Sequence, residues 1–207
     1  MEESEQELLA LLASDLHGNF LRVVEHYQHR LYTFALRLTR SFQDAEDIVQ
    51  EALVGAYVSL ENYTPERIRA LKLQAWLYRV VFNIYSHSRR NTQLHLVPLT
   101  TFEEHPELDP ADREEEQPEL LCTTWEQQRE MEGLVARLPE RYRVAITCYY
   151  FEQLSYREIA ELLAQPIGTV KSTISRGLRL LRASIDAQEQ EREEQSWSQR
   201  TPRHKNP

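Results

Sequence analysis

Hydrophobic residues recur along this chain at the three- and four-residue offsets of helices, in stretches separated by polar or proline-marked breaks. Between Phe20 and Arg40, the set Val23, Val24, Tyr27, Leu31, Phe34, Ala35 and Leu38 predicts one amphipathic helix. Phe42–Leu60 predicts a second, packed through Ala45, Ile48, Val49, Ala52, Leu53 and Ala56. Asn62–Leu73 reads as a polar loop or short helix with Pro65 near its start. The next helix, Gln74–Asn91, turns Leu77, Val80, Val81 and Ile84 inward, with Trp76 read as a packing residue. From Thr92 to about Thr123 the periodicity fails. Pro98, Pro106, Pro110 and Pro118 punctuate a run of Glu, Asp and Thr too poor in apolar residues to fold alone. Helical spacing returns through Trp125, Met131, Leu134, Val135 and Leu138. Pro139 then stands where a first helical residue is tolerated, and Glu140–Phe151 packs through Tyr142, Ala145, Ile146 and Tyr149.

The segment from Leu154 to Arg182 is the most specific. Ser155 and Glu158 make a capping box, and Leu154 with Ile159 make a hydrophobic staple, so a short helix starts near Ser155. Pro166 pushes Gln165 away from helical dihedrals, and a second helix opens around Gly168 and Thr169. Projected at about 100° per residue, Val170, Ile174, Gly177, Leu178 and Leu181 share one face. Lys171, Ser172, Ser175, Arg176, Arg179 and Arg182 share the other, which carries no acid. Two helices joined by a tight turn, the second with a free cationic face, form the helix-turn-helix arrangement that enters a major groove. An ordinary helical hairpin with a solvated basic face is the alternative.

These elements predict an all-α protein of two small helical domains joined by a flexible acidic linker. The expected bounds are a lead-in at 1–16, a first domain at 17–92, the linker at 93–123, a second domain at 124–185 and a disordered tail at 186–207. Low glycine and abundant Leu, Ala, Glu, Gln and Arg agree with that. The net charge of −9 looks wrong for a nucleic-acid binder until it is divided. Residues 1–15 and 103–119 together carry −13, which leaves the remaining chain mildly basic, about +4. No apolar run approaches a membrane span, and the first ten residues carry acids where a signal peptide has bases, so a cytoplasmic protein is expected. Cys122 and Cys148, isolated from each other and from any Cys/His set, are expected as free thiols.

Three surfaces carry candidate chemistry. On the 42–60 helix, Asp44, Asp47, Gln50 and Glu51 form a cation-free face that turns apolar at Val54 and Val58. It suits a basic, partly apolar protein partner, or else is a plain acidic helix start. On the 74–91 helix, Arg79, Phe82, Asn83, Ser86, Arg89 and Arg90 share the outer face, with Tyr78, Tyr85 and His87 on its shoulders. Rings interleaved with cations and an amide suit single-stranded nucleic acid. The basic face of the 168–182 helix suits duplex DNA. His26 and His29 have a metal-compatible offset without a third ligand in view and read as ordinary histidines. No nucleophile–base pair, phosphate loop or cofactor motif is visible, so neither enzymatic activity nor a cofactor is expected.

DAEDIVQE at 44–51, WLYRVVFN at 76–83, LPERYR at 138–143 and LSYREIAELL…PIGTVKS at 154–172 together resemble the sigma factors of bacterial RNA polymerase. More narrowly, the chain resembles the extracytoplasmic-function group of the sigma-70 family, which has only regions two and four. The resemblance implies that Asp44, Asp47, Gln50 and Glu51 dock on the clamp helices of core polymerase. It implies that the 61–73 loop and the following helix melt the minus-ten element and hold its unpaired strand through Arg79, Phe82, Asn83, Tyr85, Arg89 and Arg90. It further implies that Thr169, Lys171, Ser172, Ser175, Arg176 and Arg179 read the minus-thirty-five duplex. The acidic linker would thread toward the RNA exit path, and an anti-sigma protein would cover the DNA-facing surfaces. His87, Thr173, Ala164 and Gly177 depart from the usual residues, and Ala164 stands in the turn where glycine is usual. The rival reading is a dimeric helix-turn-helix regulator that acts without polymerase.

Overall fold

Side-chain caps set most helix borders. The structure, a computed structural model, describes residues 4–91 and 125–200, so the expected linker and the last seven residues lie outside it. Ser4 and Glu7 close a capping box on α1 (Glu5–Ser14). Asp15 accepts from the Gly18 amide and opens α2 (Leu16–Thr39). Ser41 caps α3 (Phe42–Glu61), and Thr64 caps the one-turn α4 (Pro65–Arg69), which has proline at its start. α5 (Leu73–Asn91) completes the first unit.

α2 and α3, joined through the left-handed Arg40, pack as an antiparallel pair, and α5 lies against both. The stripes expected on α2 and α3 are buried except for the half-buried Val24 and Leu53, with Leu31, Phe34, Ala35 and Ala56 fully sequestered. Phe34 meets Tyr78 of α5 edge-on at 4.8 Å between ring centres.

The expected lead-in is instead part of this unit. Leu8, Leu9 and Leu12 of α1 are buried against α4 and α2. The Glu5 carboxylate accepts from the Leu73 amide at 2.9 Å and so caps α5 from 68 residues away. The apolar patch LLALL has helical spacing, and burial of three leucines, each worth roughly 2 kcal/mol, explains why it docks.

The second unit holds α6 (Trp125–Arg137), α7 (Glu140–Ile146), a π turn at Thr147–Phe151, α8 (Tyr156–Leu163) and α9 (Ile167–Arg200). The helix expected at Glu140–Phe151 therefore changes pitch midway, and the Thr147 hydroxyl at that change is buried without a partner. α9 packs Val170, Ile174, Leu178 and Leu181 inward. Gly177 lets α7 approach closely, since a Cβ there would sit 2.7 Å from Ile146 Cδ1 and 3.2 Å from Tyr142 Cβ. Of the segment 186–207, expected as a tail, residues up to Arg200 continue α9, through a stretch of Glu, Gln and Arg without Gly or Pro, and the last seven lie outside the described residues. Among the described residues every regular element is helical, as expected.

Candidate nucleic-acid interface

The turn between α8 and α9 follows from its termini. Ser155 and Glu158 form the expected capping box. At the other end Ala164 adopts φ 50°, ψ 48°. The Gln165 amide reaches the Ala160 carbonyl at 3.0 Å, and the Ala164 amide reaches that of Glu161 at 3.4 Å. This is a Schellman ending with alanine at the left-handed position glycine would fill without strain. The turn forms despite the departure, and α9 leaves it at Ile167.

Of the residues assigned to the basic face, Thr169, Ser172, Ser175, Arg176 and Arg179 are exposed, while Lys171 is half-buried with its ammonium 5.6 Å above the Tyr156 ring. The Ser172 hydroxyl donates to the Thr169 carbonyl at 2.9 Å, so in this state it is turned back on its own helix. The face is cationic, convex and uncovered, the shape and charge that fit a major groove.

The α5 surface is divided. Arg79, Phe82 and Asn83 are half-buried, and Arg89 is exposed. Phe82 and Tyr85 have ring centres 6.1 Å apart. Tyr85, expected as a stacking ring, is only 3% exposed, and its hydroxyl donates to Glu140 of the second unit at 2.6 Å. Burial foremost, then the Glu140 carboxylate, pushes the Tyr85 hydroxyl above its usual range. Arg89 pairs with the same carboxylate at 2.9 Å. Arg90 lies on α5, but its side chain is outside the described residues. Trp76, read as packing, is half-buried and meets Tyr63 at 6.1 Å, while the Arg67 guanidinium lies 3.8 Å over Tyr63.

Asp44, Asp47, Gln50 and Glu51 are all exposed along one side of α3. Val54 and Val58 continue that helix with 66% and 51% of their surface open to solvent, and Phe42 precedes it at 71%. Acidic side chains thus run into solvent-exposed valines along one face of α3. His26 stands edge-on to Tyr27, and His29 is exposed.

The seam between the units was not visible in the sequence. Glu152, 4% exposed, follows the π turn and meets three groups of the first unit. It accepts from the Tyr78 hydroxyl, from Arg37 Nη1 at 2.8 Å, and its backbone carbonyl accepts from Gln74 at 3.2 Å. Arg37 Nη2 also reaches Glu132 at 2.7 Å, and its guanidinium lies 4.3 Å over Phe151. Arg143, buried at the same seam, donates to the Leu38 carbonyl at 3.2 Å. Burial raises the Glu152 carboxyl above the ordinary glutamate value, against the opposing pull of Tyr78, Arg37 and Arg30. The one local signal was an acid ending the apolar run TCYYF; its partners lie 74 and 115 residues away.

Residues 23–93 match the family model described as Sigma-70 region 2, and residues 128–181 match Sigma-70, region 4. The RNA polymerase sigma-H factor of Pseudomonas aeruginosa is 30% identical over 180 residues, covering 84% of this chain and 90% of that protein. The ECF RNA polymerase sigma-E factor of Escherichia coli is 31% identical over 164 residues, covering 76% of this chain and 81% of its own. Among solved structures, the sigma factor RpoE of Bartonella quintana, in complex with the anti-sigma factor NepR, superposes with a TM-score of 0.55. It is 24% identical, covering 81% of this chain and 96% of that one, and the likeness is one of fold.

Proposed function

Because this chain belongs to the extracytoplasmic-function group of the sigma-70 family, we propose that its three surfaces divide the work of promoter-directed initiation among themselves. The chain binds core RNA polymerase and confers promoter choice on it; the catalysis of RNA synthesis belongs to the polymerase. Region two, at 17–92 with α1 docked on it, presents Asp44, Asp47, Gln50 and Glu51 to core polymerase. Its α5 captures the unpaired minus-ten strand through Arg79, Phe82, Asn83, Tyr85, Arg89 and Arg90. Region four, at 124–185, sets register on the minus-thirty-five duplex through Thr169, Lys171, Ser172, Ser175, Arg176 and Arg179. The acidic segment 93–123, outside the described residues, links the two in sequence.

The observation that carries this reading is the coexistence, in one chain, of an uncovered cationic helix-turn-helix face and a separate ring-and-cation helix beside an acidic docking helix. Duplex DNA is read by hydrogen bonds to base edges, whereas an opened strand is held by stacking and backbone cations. Two such surfaces on one polypeptide suit a DNA that is double-stranded upstream and melted downstream. Strand opening is then driven by capture: each stacked base contributes roughly 1–3 kcal/mol toward the cost of unpairing.

An anti-sigma protein that covers the DNA-facing helices is the expected antagonist, in line with the family resemblance. No helix among the described residues is long and apolar enough to cross a membrane, in keeping with work in the cytoplasm beside the nucleoid. The test is reconstituted transcription with core polymerase and a genomic promoter library. Defined start sites sharing two spaced elements are expected. Binding of a palindrome by the chain alone, without polymerase-dependent initiation, would favour an independent regulator.

A further inference from the structure

The other helices of the first unit carry their own start signals. Ser4, Asp15, Ser41 and Thr64 each accept, through the side chain, from an amide in the first turn of the helix they open. α5 is different. Lys72, immediately before it, has no side-chain acceptor, and the first turn of α5 holds no acid. Leu73 is fully buried, so its amide needs a partner from the protein itself. Glu5 Oε1 accepts from that amide at 2.9 Å, and Glu5 Oε2 accepts from the hydroxyl of the buried Tyr27 at 3.5 Å. One side chain of α1 thus ties the start of α5 to α2.

This anchor sits at the corner where α4 passes through residues 70–72 into α5. On the half-buried side of the corner, Trp76, one turn beyond Leu73, meets the Tyr63 ring that carries the Arg67 guanidinium. On the inner side, Leu8, Leu9 and Leu12 of α1 share a core with Ile68 of α4 and with Leu73. α1 packs chiefly on α4 and α2, so its hold on α5 is concentrated in the Glu5 carboxylate. α1 also precedes the stretch that matches the Sigma-70 region 2 model, which begins at residue 23.

We propose that Glu5 is a positioning residue for strand capture: it fixes the first turn of α5 against α1 and α4, and so holds the α5 surface ready for the unpaired minus-ten strand. This rests on the reading of α5 given above. A buried amide without an acceptor is unfavourable, and a first turn that loses its cap frays or shifts. A surface that must be reordered before it binds gives up part of its binding free energy to that ordering. Glu5 touches no DNA in this account and acts through the α4–α5 corner.

The full-length chain with core polymerase tests this on one promoter recovered from the genomic library. Permanganate oxidation of unpaired minus-ten thymines reads the open complex. Its rate of appearance at increasing polymerase concentration separates closed-complex affinity from the rate of opening. Glu5→Ala should slow opening about fivefold, the effect of one lost helix cap, with closed-complex affinity unchanged. Glu5→Gln keeps an oxygen that can accept from the Leu73 amide and should restore most of the rate. A mere loss of folded chain lowers the amount of complex but not the opening rate of each complex. In the free chain, hydrogen exchange by NMR should show the Leu73 amide less protected in Glu5→Ala than in wild type.

An opening rate unchanged in Glu5→Ala would overturn the proposal. So would a Leu73 amide that keeps its protection, or a Glu5→Gln variant as slow as Glu5→Ala. Should Glu5→Ala not fold, Glu5→Asp, which retracts the carboxylate by one methylene, decides the matter by the same rates. Initiation with opening indifferent to these changes removes the positioning role alone; a wild-type chain that starts no transcript removes the functional reading beneath it.

Discussion

Arg37 on α2 and Glu152 beyond the π turn lie 2.8 Å apart, an ion pair that ties region two to region four across 115 residues of sequence. Neither residue belongs to a docking or DNA-contacting surface. They join the two units that carry those surfaces.

Replacing Arg37 with Ala leaves Glu152 buried against Tyr78 without its guanidinium, and strips Glu132 of the same partner. Removing one member of a buried pair costs about 3 kcal/mol. A urea titration of the full chain should show that loss. An effect below about 0.5 kcal/mol, the ordinary range of surface changes, would mean that the seam is not held by this pair.

The seam should also respond to pH. The carboxyl of Glu152 is raised above 4.5 mainly by burial, and the groups facing it are the Tyr78 hydroxyl, the Arg37 and Arg30 guanidiniums and the Cys148 thiol. A raised folded value means that the folded chain holds its proton more tightly than the unfolded one. The contribution is therefore fully present below about pH 4.5 and lost as pH rises through the folded value. Wild type should gain stability relative to Glu152→Gln as pH falls from about 7 toward about 5. A difference that is flat, or that grows with rising pH, would be inconsistent with the burial of this carboxylate.

Asp47→Lys with Glu51→Lys reverses the exposed acidic side of α3 without touching its buried stripe. Affinity for core polymerase should fall about tenfold or more, mainly through slower association, while the melting curve stays put. Undiminished affinity would remove the docking role of this face.

Arg176→Ala and Lys171→Ala should each weaken binding to minus-thirty-five duplex DNA. If each cation neutralises a phosphate, the slope of log affinity against log salt becomes shallower by about one per change. A slope that does not move assigns these side chains to base edges or to no contact.

Ala164→Gly should stabilise region four. A left-handed backbone costs an L-residue roughly 1–2 kcal/mol, partly offset by the greater freedom of glycine in the unfolded chain, so a gain of about 1 kcal/mol is expected. Loss of stability would show that the methyl group makes a contact worth more than the strain.

Much of this was legible in the sequence because helices write their packing in a short period. The stripes on α2, α3 and α9 are buried apart from the half-buried Val24 and Leu53, and the Ser155–Glu158 box stands where its spacing put it. What escaped was long-range. Tyr85 fell on a shoulder of α5 by projection, yet its ring is buried and its hydroxyl meets Glu140 from 55 residues away. Glu5 looked like one more acid in a charged lead-in, yet it caps α5. Glu152 carried one weak signal, an acid closing an apolar run, and the identity of its partners needed the tertiary structure. Beyond Asp186 the residue types, Glu, Gln and Arg, favour the helix that α9 continues to Arg200.

Run-off transcription from the genomic promoter library, with core polymerase and this chain as the sole added subunit, weighs most. Transcripts should start at fixed positions downstream of paired upstream and minus-ten elements, and vanish with Asp47→Lys/Glu51→Lys. Absence of any defined start, with the chain folded and polymerase active on nicked templates, would contradict the assignment of this protein to promoter-directed initiation.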